Sequence, residues 1–514
     1  MSDNGKPWPS IRLGDLASEM CLGKMLDKQK NRGTFKPYLR NVNVRWFSFD
    51  LSDLKEMRFE EGEEARYGIQ SGDLVICEGG EPGRAAVWKE QSTDARIQKA
   101  LHRVRFRADQ YDSSFAMYFL YYGTLTNDFA THYTGTTIKH LTGKALSQVR
   151  FPLPSVNEQR RIVAKIEELF SDLDAGVAAL ERAKANLKRY RAAVLKAAVD
   201  GMLTEQWRAD NPDVEPATEL LQRILAERRK RWEAEQLAKY EAKGTKPPTG
   251  WKEKYKEPAQ SNADRMPVLP DAWCWATIEQ INAGDRSIAY GVLQPGPDLP
   301  VGVPLVRVCD VANGRVALDQ LKCIDPKISE QYRRTLLRGG EVLLTVVGTI
   351  GRTAIVPSDA AGANTARAVS VIPTSKFINA HFVEIVLRDP RMQARLTRAA
   401  HEVARKTLNL EDVRVAMIPL PPRNEQDEIV TEIQRLWSIA DEAEHLLEGS
   451  LQRSARLRQS ILKRAFEGKL VPQDPNDEPA SKLLARIKAE RAAIDANGGK
   501  VTKRSPWKRK SIGS

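Results

Sequence analysis

The sequence predicts an α+β protein in which one unit, a globular domain followed by a long helix, occurs twice in the same chain. Three observations predict this fold. A helical segment recurs at a constant offset, each copy of it has an apolar seam with heptad spacing, and short β-rich runs precede each copy. We expect two mixed α/β domains separated by two long antiparallel helices that pack like a coiled coil, related by an internal pseudo-twofold repeat.

The repeat is clearest in the helical segments. FPLPSVNEQRRIVAKIEELF (151–170) recurs without a gap as IPLPPRNEQDEIVTEIQRLW (418–437), at an offset of 267 residues. At the same offset, RYRAAVLKAAVDGML (189–203) recurs as RLRQSILKRAFEGKL (456–470). The segments before the helices correspond more loosely. This uneven divergence indicates a shared scaffold that carries two different globular domains.

Each copy of the helix has an apolar residue every three or four positions, the spacing of a coiled-coil seam. About 45 residues give a rod on the order of 65 to 70 Å. We expect each helix to bury its seam against the other copy, antiparallel; dimerisation with a second chain is the alternative. The predicted seam, which Ser450 and Ser454 interrupt, consists of Ile162, Ile166, Leu169, Leu173, Leu180, Leu187, Val194, Ile429, Ile433, Leu436, Leu447, Leu457 and Ile461.

The ends of the helices are also predictable. A PLP tripeptide precedes the first helix and PLPP precedes the second, and Ser155 or Asn157 is a suitable N-cap for the first. Gly201 and Gly468 stand where each helix should end, because glycine readily adopts the left-handed conformation of a C-cap.

Strands are predicted in the segments ahead of the helices. Runs such as DLVIC, LHRVRF, EVLLTVV and AVSVI, punctuated by Gly, Pro and Asn, are typical of strands joined by loops. The predicted organisation is a first globular domain at 1–150, a first helical region at 151–245, a linker at 246–267, a second globular domain at 268–417, a second helical region at 418–495 and a basic tail at 496–514.

The composition indicates a class of partner. A net charge of +13 and a pI near 9.4 favour a polyanion, because Lys and Arg neutralise phosphates and release counterions; an acidic protein surface is the alternative. No apolar run approaches the roughly 18 residues of a membrane-spanning helix, and the first residues do not resemble a signal peptide. We expect a cytoplasmic protein that contacts no membrane and keeps its five cysteines as free thiols.

No segment has the spacing of a catalytic or cofactor motif. GTTIKHLTGKA (135–145) has the wrong glycine spacing for a phosphate-binding loop and lacks Ser or Thr after Lys144. The NPPY or DPPY stretch of amino-methyltransferases is missing, and the six histidines show no metal-ligand spacing. The sequence therefore predicts a chain that is not an enzyme and that holds no cofactor and no metal.

Two matching turns are candidates for contact with nucleic acid. In EGGEPGRAAV (78–87) and VGTIGRTAI (347–355), glycines allow the backbone to approach a partner, and an arginine follows that can bind phosphate or guanine. A hairpin turn with a solubilising arginine is the alternative. With basic and amide residues from neighbouring segments, the candidates for DNA contact are Arg40, Asn43, Arg45, Arg84, Gln98, Lys99, His102, Gln294, Arg307, Arg352, Asn364 and Arg367.

The duplicated PLP and NEQ segments, the tryptophans Trp8 and Trp273 near the start of each domain, and the GDLVI and GEVLL runs that lead into GR together resemble the specificity (S) subunit of type I restriction-modification systems. The resemblance covers nearly the whole chain. It implies two target recognition domains, each recognising one half of a bipartite, asymmetric site in double-stranded DNA, with the helices as spacer.

The resemblance also implies partners. Two modification (methyltransferase) subunits would dock along the helices and their seam residues, with restriction (endonuclease and translocase) subunits outside them. S-adenosylmethionine, ATP and Mg²⁺ would belong to those partners. Two alternatives remain: a coiled-coil adaptor that binds proteins without recognising DNA, and a stand-alone DNA-modifying enzyme.

Overall fold

A computed structural model of the chain describes residues 8–27, 29, 31–89, 94–135, 139–264, 266–312, 314–402 and 406–496. The chain divides into two compact units. Unit 1 comprises Met1–Glu181 with Glu448–Ser514, and unit 2 comprises Arg182–Leu447. Each unit thus contains one globular domain and part of each long helix. All but the first residue of the predicted basic tail lies outside the described residues.

The globular domain of unit 1 combines short strands with short helices. Its strands are β1 (Ser10–Arg12), β2 (Glu19–Leu22), β3 (Thr34–Leu39), β4 (Val44–Arg45), β5 (Ser48–Phe49), β6 (Lys55–Phe59), β7 (Leu74–Cys77), β8 (Ala85–Val87), β9 (Arg96–Ile97), β10 (Leu101–Arg105) and β11 (Arg150–Pro152). Its helices are α1 (Leu13–Leu16), α2 (Glu64–Tyr67), α3 (Ser113–Leu125) and α4 (Gly143–Gln148).

Two small sheets form the body of this domain. Strands β2, β10, β7 and β8 make an antiparallel sheet in that order, while β3 pairs antiparallel with β6 and parallel with β9. Strand β7 is buried on both faces, with the period of two expected of a strand. Leu74 and Ile76 enter the core with α3, and Val75 and Cys77 enter the core with β9. Strand β1 pairs with β11, and β4 with β5.

Each globular domain is followed in the chain by a long helix and then by one or two shorter helices. Helix α5 (Val156–Val199) leads into α6 (Glu205–Asp210) and α7 (Ala217–Ala242), and α12 (Arg423–Phe466) leads into α13 (Ala480–Ala496). The helices of the second globular domain are α8 (Pro326–Gln331), α9 (Ala380–Arg388), α10 (Pro390–Ala399) and α11 (Leu410–Arg414).

The globular domain of unit 2 repeats the topology of the first with a different sequence. Its strands are β12 (Cys274–Thr277), β13 (Ala289–Tyr290), β14 (Val303–Val306), β15 (Val311–Ala312), β16 (Arg315–Val316), β17 (Lys322–Ile324), β18 (Val342–Thr345), β19 (Thr353–Ile355), β20 (Asn364–Thr365), β21 (Val369–Ile372), β22 (His401–Glu402), β23 (Lys406–Thr407) and β24 (Met417–Leu420). The order β13, β21, β18, β19 reproduces the first antiparallel sheet, and β14 again pairs with one antiparallel and one parallel neighbour.

The two long helices pack antiparallel in both units, as predicted. In unit 1 the first part of α5 lies on the last part of α12, where Arg458 pairs with Asp174. In unit 2 the last part of α5 lies on the first part of α12, where Arg191 pairs with Asp441 at 2.5 Å and with Glu444 at 3.0 Å. This opposite pairing of helix parts is what an antiparallel pair requires.

The predicted helix ends are confirmed. The Glu158 amide donates to Ser155 Oγ at 3.0 Å, so Ser155 is the N-cap of α5. Gly201 and Gly468 have φ angles of +74° and +70°, the left-handed conformation that ends a helix.

The seam residues are buried most deeply where the globular domains pack on the helices. Ile162, Ile166, Ile429 and Ile433 belong to the two main cores. Leu457 departs from the predicted seam, because its side chain is 52% exposed. The groove beside α5 is lined instead by Leu451, Ser454 and Arg458, and the Arg458 guanidinium lies 4.6 Å from the Phe170 ring. Ser454 therefore interrupts the seam as predicted, and Arg458 lines the groove next to the position at which Leu457 was expected to do so.

In the predicted linker, 246–267, the residues before 260 contact α7 and β12 of the same unit. Trp251 stacks on Trp232 of α7 with a centroid distance of 5.9 Å, and the Tyr255 ring lies 5.3 Å from Trp232. Further along, the Thr277 hydroxyl donates to the Ala259 carbonyl at 2.8 Å. These contacts hold the segment against α7 and β12.

Candidate nucleic-acid interface

The glycine-rich turn between β7 and β8 lies against the loop after β3. Gly80 has a φ of +79°, in the left-handed region that favours glycine, and a Cβ built there would lie 2.9 Å from Asn41 Nδ2 of that loop. Arg84 donates to the Asn41 carbonyl at 2.9 Å and to Glu81 at 2.7 Å. The Arg84 guanidinium therefore ties the turn to the loop.

Unit 2 contains the same arrangement between β18 and β19. The Thr345 amide donates to the Arg352 carbonyl at 2.9 Å, and the Gly351 amide donates to the Thr345 carbonyl at 2.9 Å. Arg352 donates to the carbonyl of Val308, the second residue after β14, at 3.3 Å. The Arg352 side chain is exposed, whereas Arg84 is half-buried. The two turns are structurally equivalent, as their sequences suggested.

The residue after β3 and the residue after β14 are also equivalent arginines. Arg40 donates to the Asp53 carboxylate at 2.9 Å, and Arg307 makes two bonds to Asp310, each of 3.0 Å. Their backbone amides donate to Asn43 Oδ1 at 3.0 Å and to Asp310 Oδ2 at 2.8 Å. These side chains fix the conformation of the loop that the turn contacts.

Three of the candidate residues are buried. Besides accepting from Arg40, Asn43 donates to the Asp50 carbonyl at 2.9 Å. His102 Nε2 lies 2.9 Å from the Leu141 carbonyl, and burial lowers the pKa of His102, so the neutral ring donates through Nε2. Asn364 donates to Ser329 Oγ at 2.9 Å. In this structure these three side chains stabilise the fold and do not reach the surface.

The side chains of the remaining candidates are not fully buried. Gln98 is half-buried. The Arg45 side chain is exposed, and its guanidinium lies 3.7 Å from the Asp50 carboxylate. Among the residues that the structure describes, the exposed side chains of Lys99, Gln294 and Arg367 have no hydrogen-bond or ion-pair partner. The candidates that are not buried therefore include cations and amides, and they are different residues in the two units.

A hairpin beside each turn was not singled out as a site from the sequence. In unit 1, Thr134 and His140 exchange backbone hydrogen bonds of 2.9 and 2.8 Å. In unit 2, β22 and β23 form the equivalent antiparallel pair. A signal was present, because Lys139 and Lys406 are separated by the same 267 residues as the helical repeat. It was missed because the two segments share almost no other residue.

The duplicated NEQ segment joins each domain to its helix. Glu158 accepts from Trp8 Nε1 at 3.1 Å, and Glu425 accepts from Trp273 Nε1 at 2.8 Å. The following glutamines act in the same way in the two units: the Gln159 carbonyl accepts from the Asp112 amide at 2.8 Å, and that of Gln426 from the Asn379 amide at 2.9 Å. Each long helix therefore begins at a fixed position on its globular domain.

Within the described part of the chain, no group of three or more His, Cys, Asp and Glu side chains is arranged to hold a metal ion. A search of the described helices finds none long and apolar enough to cross a membrane.

Comparison with known proteins decides the family. The family model for the type I restriction modification DNA specificity domain matches residues 5–183 and 302–448. The chain belongs to the family of type I restriction-modification specificity subunits. The resemblance of the sequence to this family is thereby confirmed. This specificity subunit is non-catalytic, and the family implies a role in recognising a DNA target.

Relatives of this specificity subunit match over most of their length. The EcoBI specificity subunit of Escherichia coli is 34% identical over 450 residues, which cover 86% of this chain and 84% of that protein. The EcoKI specificity subunit of Escherichia coli strain K12 is 25% identical over 416 residues, covering 76% and 74%. By fold, a chain in a solved structure of the type I R-M system matches with a TM-score of 0.58 at 18% identity, covering 91% of this chain and all of that one.

Proposed function

We propose that this specificity subunit recognises a bipartite, asymmetric site in double-stranded DNA, one half with each globular domain. The observation that carries the proposal is the equivalent pair of glycine turns. Each turn has a tethered arginine, and the exposed candidate cations and amides of the two globular domains are different residues. Equivalent surfaces with different side chains suit the recognition of two different half-sites, because base identity is read by individual side chains in the groove.

The long helices set the distance between the half-sites in this proposal. Two short recognition surfaces gain specificity when a stiff element fixes their separation, since both half-sites then bind only at one spacing and helical phase. The NEQ contacts support this role, because they fix each globular domain to the start of a helix. Partner subunits dock, in this proposal, on the helix surface that stays exposed. That surface includes the seam residue Leu457.

The partners we propose are two modification subunits and, outside them, restriction subunits, in the cytoplasm with the DNA. S-adenosylmethionine, ATP and Mg²⁺ are assigned to those subunits. The family assignment supports this division of labour, since a non-catalytic specificity subunit needs partners that carry the chemistry.

Lengthening both helices by one turn tests the role of the spacer. Four alanines are inserted after Leu180 of α5 and four after Leu451 of α12, which lie opposite each other in the register set by the pairs Asp174–Arg458 and Arg191–Asp441. Sequencing of methylated adenines in cells should then show both half-sites unchanged and a longer unspecified spacer. Changed half-sites, or an unchanged spacer in an active complex, would refute the proposal.

A coiled-coil adaptor that binds only proteins is separated from this proposal by an electrophoretic shift. The DNA probe carries the sequence that the methylated-adenine sequencing identifies. The complex of this chain with its modification subunits should shift that probe. It should bind a scrambled sequence at least 1,000-fold more weakly, the usual ratio for specific recognition. Equal binding to both sequences would favour the adaptor.

A further inference from the structure

Unit 2 contains a cavity beside the last turn of α5. Its volume is about 340 Å³. The buried side chains of Val199 on α5, Val386 on α9 and Met392 on α10 line it. Because protein interiors are close-packed, an open space of this size between apolar side chains is a candidate binding site.

The internal repeat shows which group the fold accommodates at this place. Three residues that line the cavity correspond, at the offset of 267 residues, to aromatic residues of unit 1: Val199 to Phe466, Val386 to Phe119 and Asp389 to Tyr122. In unit 1 the Phe466 ring stacks on Tyr122, with the ring centroids 5.4 Å apart and the planes at 26°, and its centroid lies 5.4 Å from that of Phe119. Unit 2 has two valines and an aspartate instead, so the space of the aromatic ring is left open.

The rim of the cavity is apolar. Trp275 Nε1 donates to the Pro267 carbonyl at 3.1 Å, which holds the segment before β12 at the cavity. Val268, the next residue, also lines the cavity and is 98% exposed. An exposed apolar side chain beside an apolar cavity is typical of a protein interface, because a partner that covers both removes their surface from water.

The charges at the cavity favour an anionic partner. Lys196 on α5 is exposed and Arg395 on α10 is half-buried, and neither has a hydrogen-bond or ion-pair partner among the residues that the structure describes. Arg391, in contrast, is paired with Asp200 at 2.7 Å and with Asp389 at 3.2 Å. The cavity therefore combines an apolar interior with two cations that can bind a carboxylate.

We propose that this cavity binds an aromatic side chain of another protein, in a segment where an acidic residue stands beside the aromatic one. The ring takes the space that Phe466 fills in unit 1, and the carboxylate pairs with Lys196 and Arg395. Segment 497–514 of this chain does not suit the cavity, because it has six Lys and Arg residues and no acidic residue. Since the corresponding place in unit 1 is filled, the partner binds unit 2 and thereby distinguishes two units of the same topology.

Saturation-transfer NMR with the full chain tests the chemistry of the site. The probe is the acetylated and amidated tripeptide Asp-Phe-Asp, compared with Asn-Phe-Asn and Lys-Phe-Lys. Asp-Phe-Asp should bind about fivefold more tightly than Asn-Phe-Asn, the effect of one partly exposed ion pair, and more tightly still than Lys-Phe-Lys. Arg395→Gln should remove this preference. Equal binding of the three peptides to the unaltered chain overturns the inference.

Filling the cavity from within tests its position. Val199→Phe should abolish binding of Asp-Phe-Asp, because the new ring takes the place that Phe466 takes in unit 1. Val301→Phe is the matched control, at a valine of unit 2 that is 85% exposed, and should bind as the unaltered chain does. Undiminished binding to a folded Val199→Phe chain overturns the inference. If that variant does not fold, the Arg395→Gln comparison still decides.

Photo-crosslinking in the protein's own host identifies the occupant. Benzoylphenylalanine at position 268 should cross-link to a different protein, within a few residues of both an aromatic and an acidic residue. The same group at position 301 should not, and Val199→Phe should remove the cross-link. No cross-link from position 268, or cross-links only to segment 497–514 or to a second copy of this chain, overturns the inference. Neither experiment involves DNA, so the proposed function is tested separately.

Discussion

The two glutamates of the NEQ segments should respond very differently to the same substitution. Glu425 is fully buried and accepts three hydrogen bonds, from Trp273 at 2.8 Å and from Thr204 and Arg208 at 2.6 Å each. Glu158 accepts one bond, from Trp8, and in the described part of the chain its other buried oxygen has no partner. Burial raises the pKa of Glu158, which shows that its charge is poorly stabilised.

The expected cost follows from these contacts. In Glu425→Gln the amide group must face either Trp273 or the pair Thr204 and Arg208, so at least one donor meets another donor. The Arg208 charge also loses its partner. Breaking a buried ion pair costs about 3 to 5 kcal/mol. In Glu158→Gln the carbonyl can accept from Trp8 while the amide takes the place of the unpartnered oxygen, and we expect a loss below about 1 kcal/mol.

Native-state hydrogen exchange measures each unit separately in the full chain. In Glu425→Gln the amides of 427–433 should open at least about 100-fold more readily, which corresponds to about 3 kcal/mol. In Glu158→Gln the amides of 160–166 should change less than about fivefold. If hydrogen exchange increased equally in the two segments, burial alone would explain the effect. The argument that the three donors make the Glu425 carboxylate important for stability would then be refuted.

Two further predictions concern residues that were first considered as DNA contacts. Because burial lowers the pKa of His102, the unfolded state binds more protons below the ordinary histidine value of about 6.5. Unit 1 should therefore lose stability as the pH falls through that value, and His102→Gln should remove this loss in thermal unfolding at pH 5 to 8. Asn364→Ala should cost about 2 to 3 kcal/mol of unfolding free energy, because it removes the buried hydrogen bonds of Asn364 with the Ser329 and Thr335 hydroxyls and leaves a cavity in their place. Arg367→Ala, at an exposed side chain, should change stability by less than about 0.5 kcal/mol; equal losses would contradict the burial argument.

Features with a local period were predictable. The helix repeat appears in the sequence because apolar residues every three or four positions are visible without knowledge of the fold, and the caps at Ser155, Gly201 and Gly468 follow from local backbone preference. The matching glycine turns were predictable because both contain two glycines three residues apart with an arginine directly after the second. The exact register was not predictable from the spacing: Ser454 and Arg458 line the groove beside α5, whereas the side chain of Leu457, which was placed in the predicted seam, is 52% exposed.

Among the candidates for DNA contact, the residue type gave no indication of burial. Asn43, His102 and Asn364 are polar side chains in loop or strand segments, as Lys99 and Arg367 are. The first three are internal because distant segments supply their partners, such as Leu141 for His102. Those partners lie tens of residues away in sequence, and no local pattern specifies them.

The sequence by itself determined the duplication, the two long helices and their ends, the equivalence of the two turns and the family. These depend on short-range periodicity and on residues shared at a constant offset. Only the tertiary structure decided which polar residues reach the surface, that the NEQ glutamates and glutamines bind each domain to its helix, and that a hairpin with a lysine lies beside each glycine turn. These features depend on hydrogen bonds between segments far apart in the chain, which form only when the two sheets and the helices pack together.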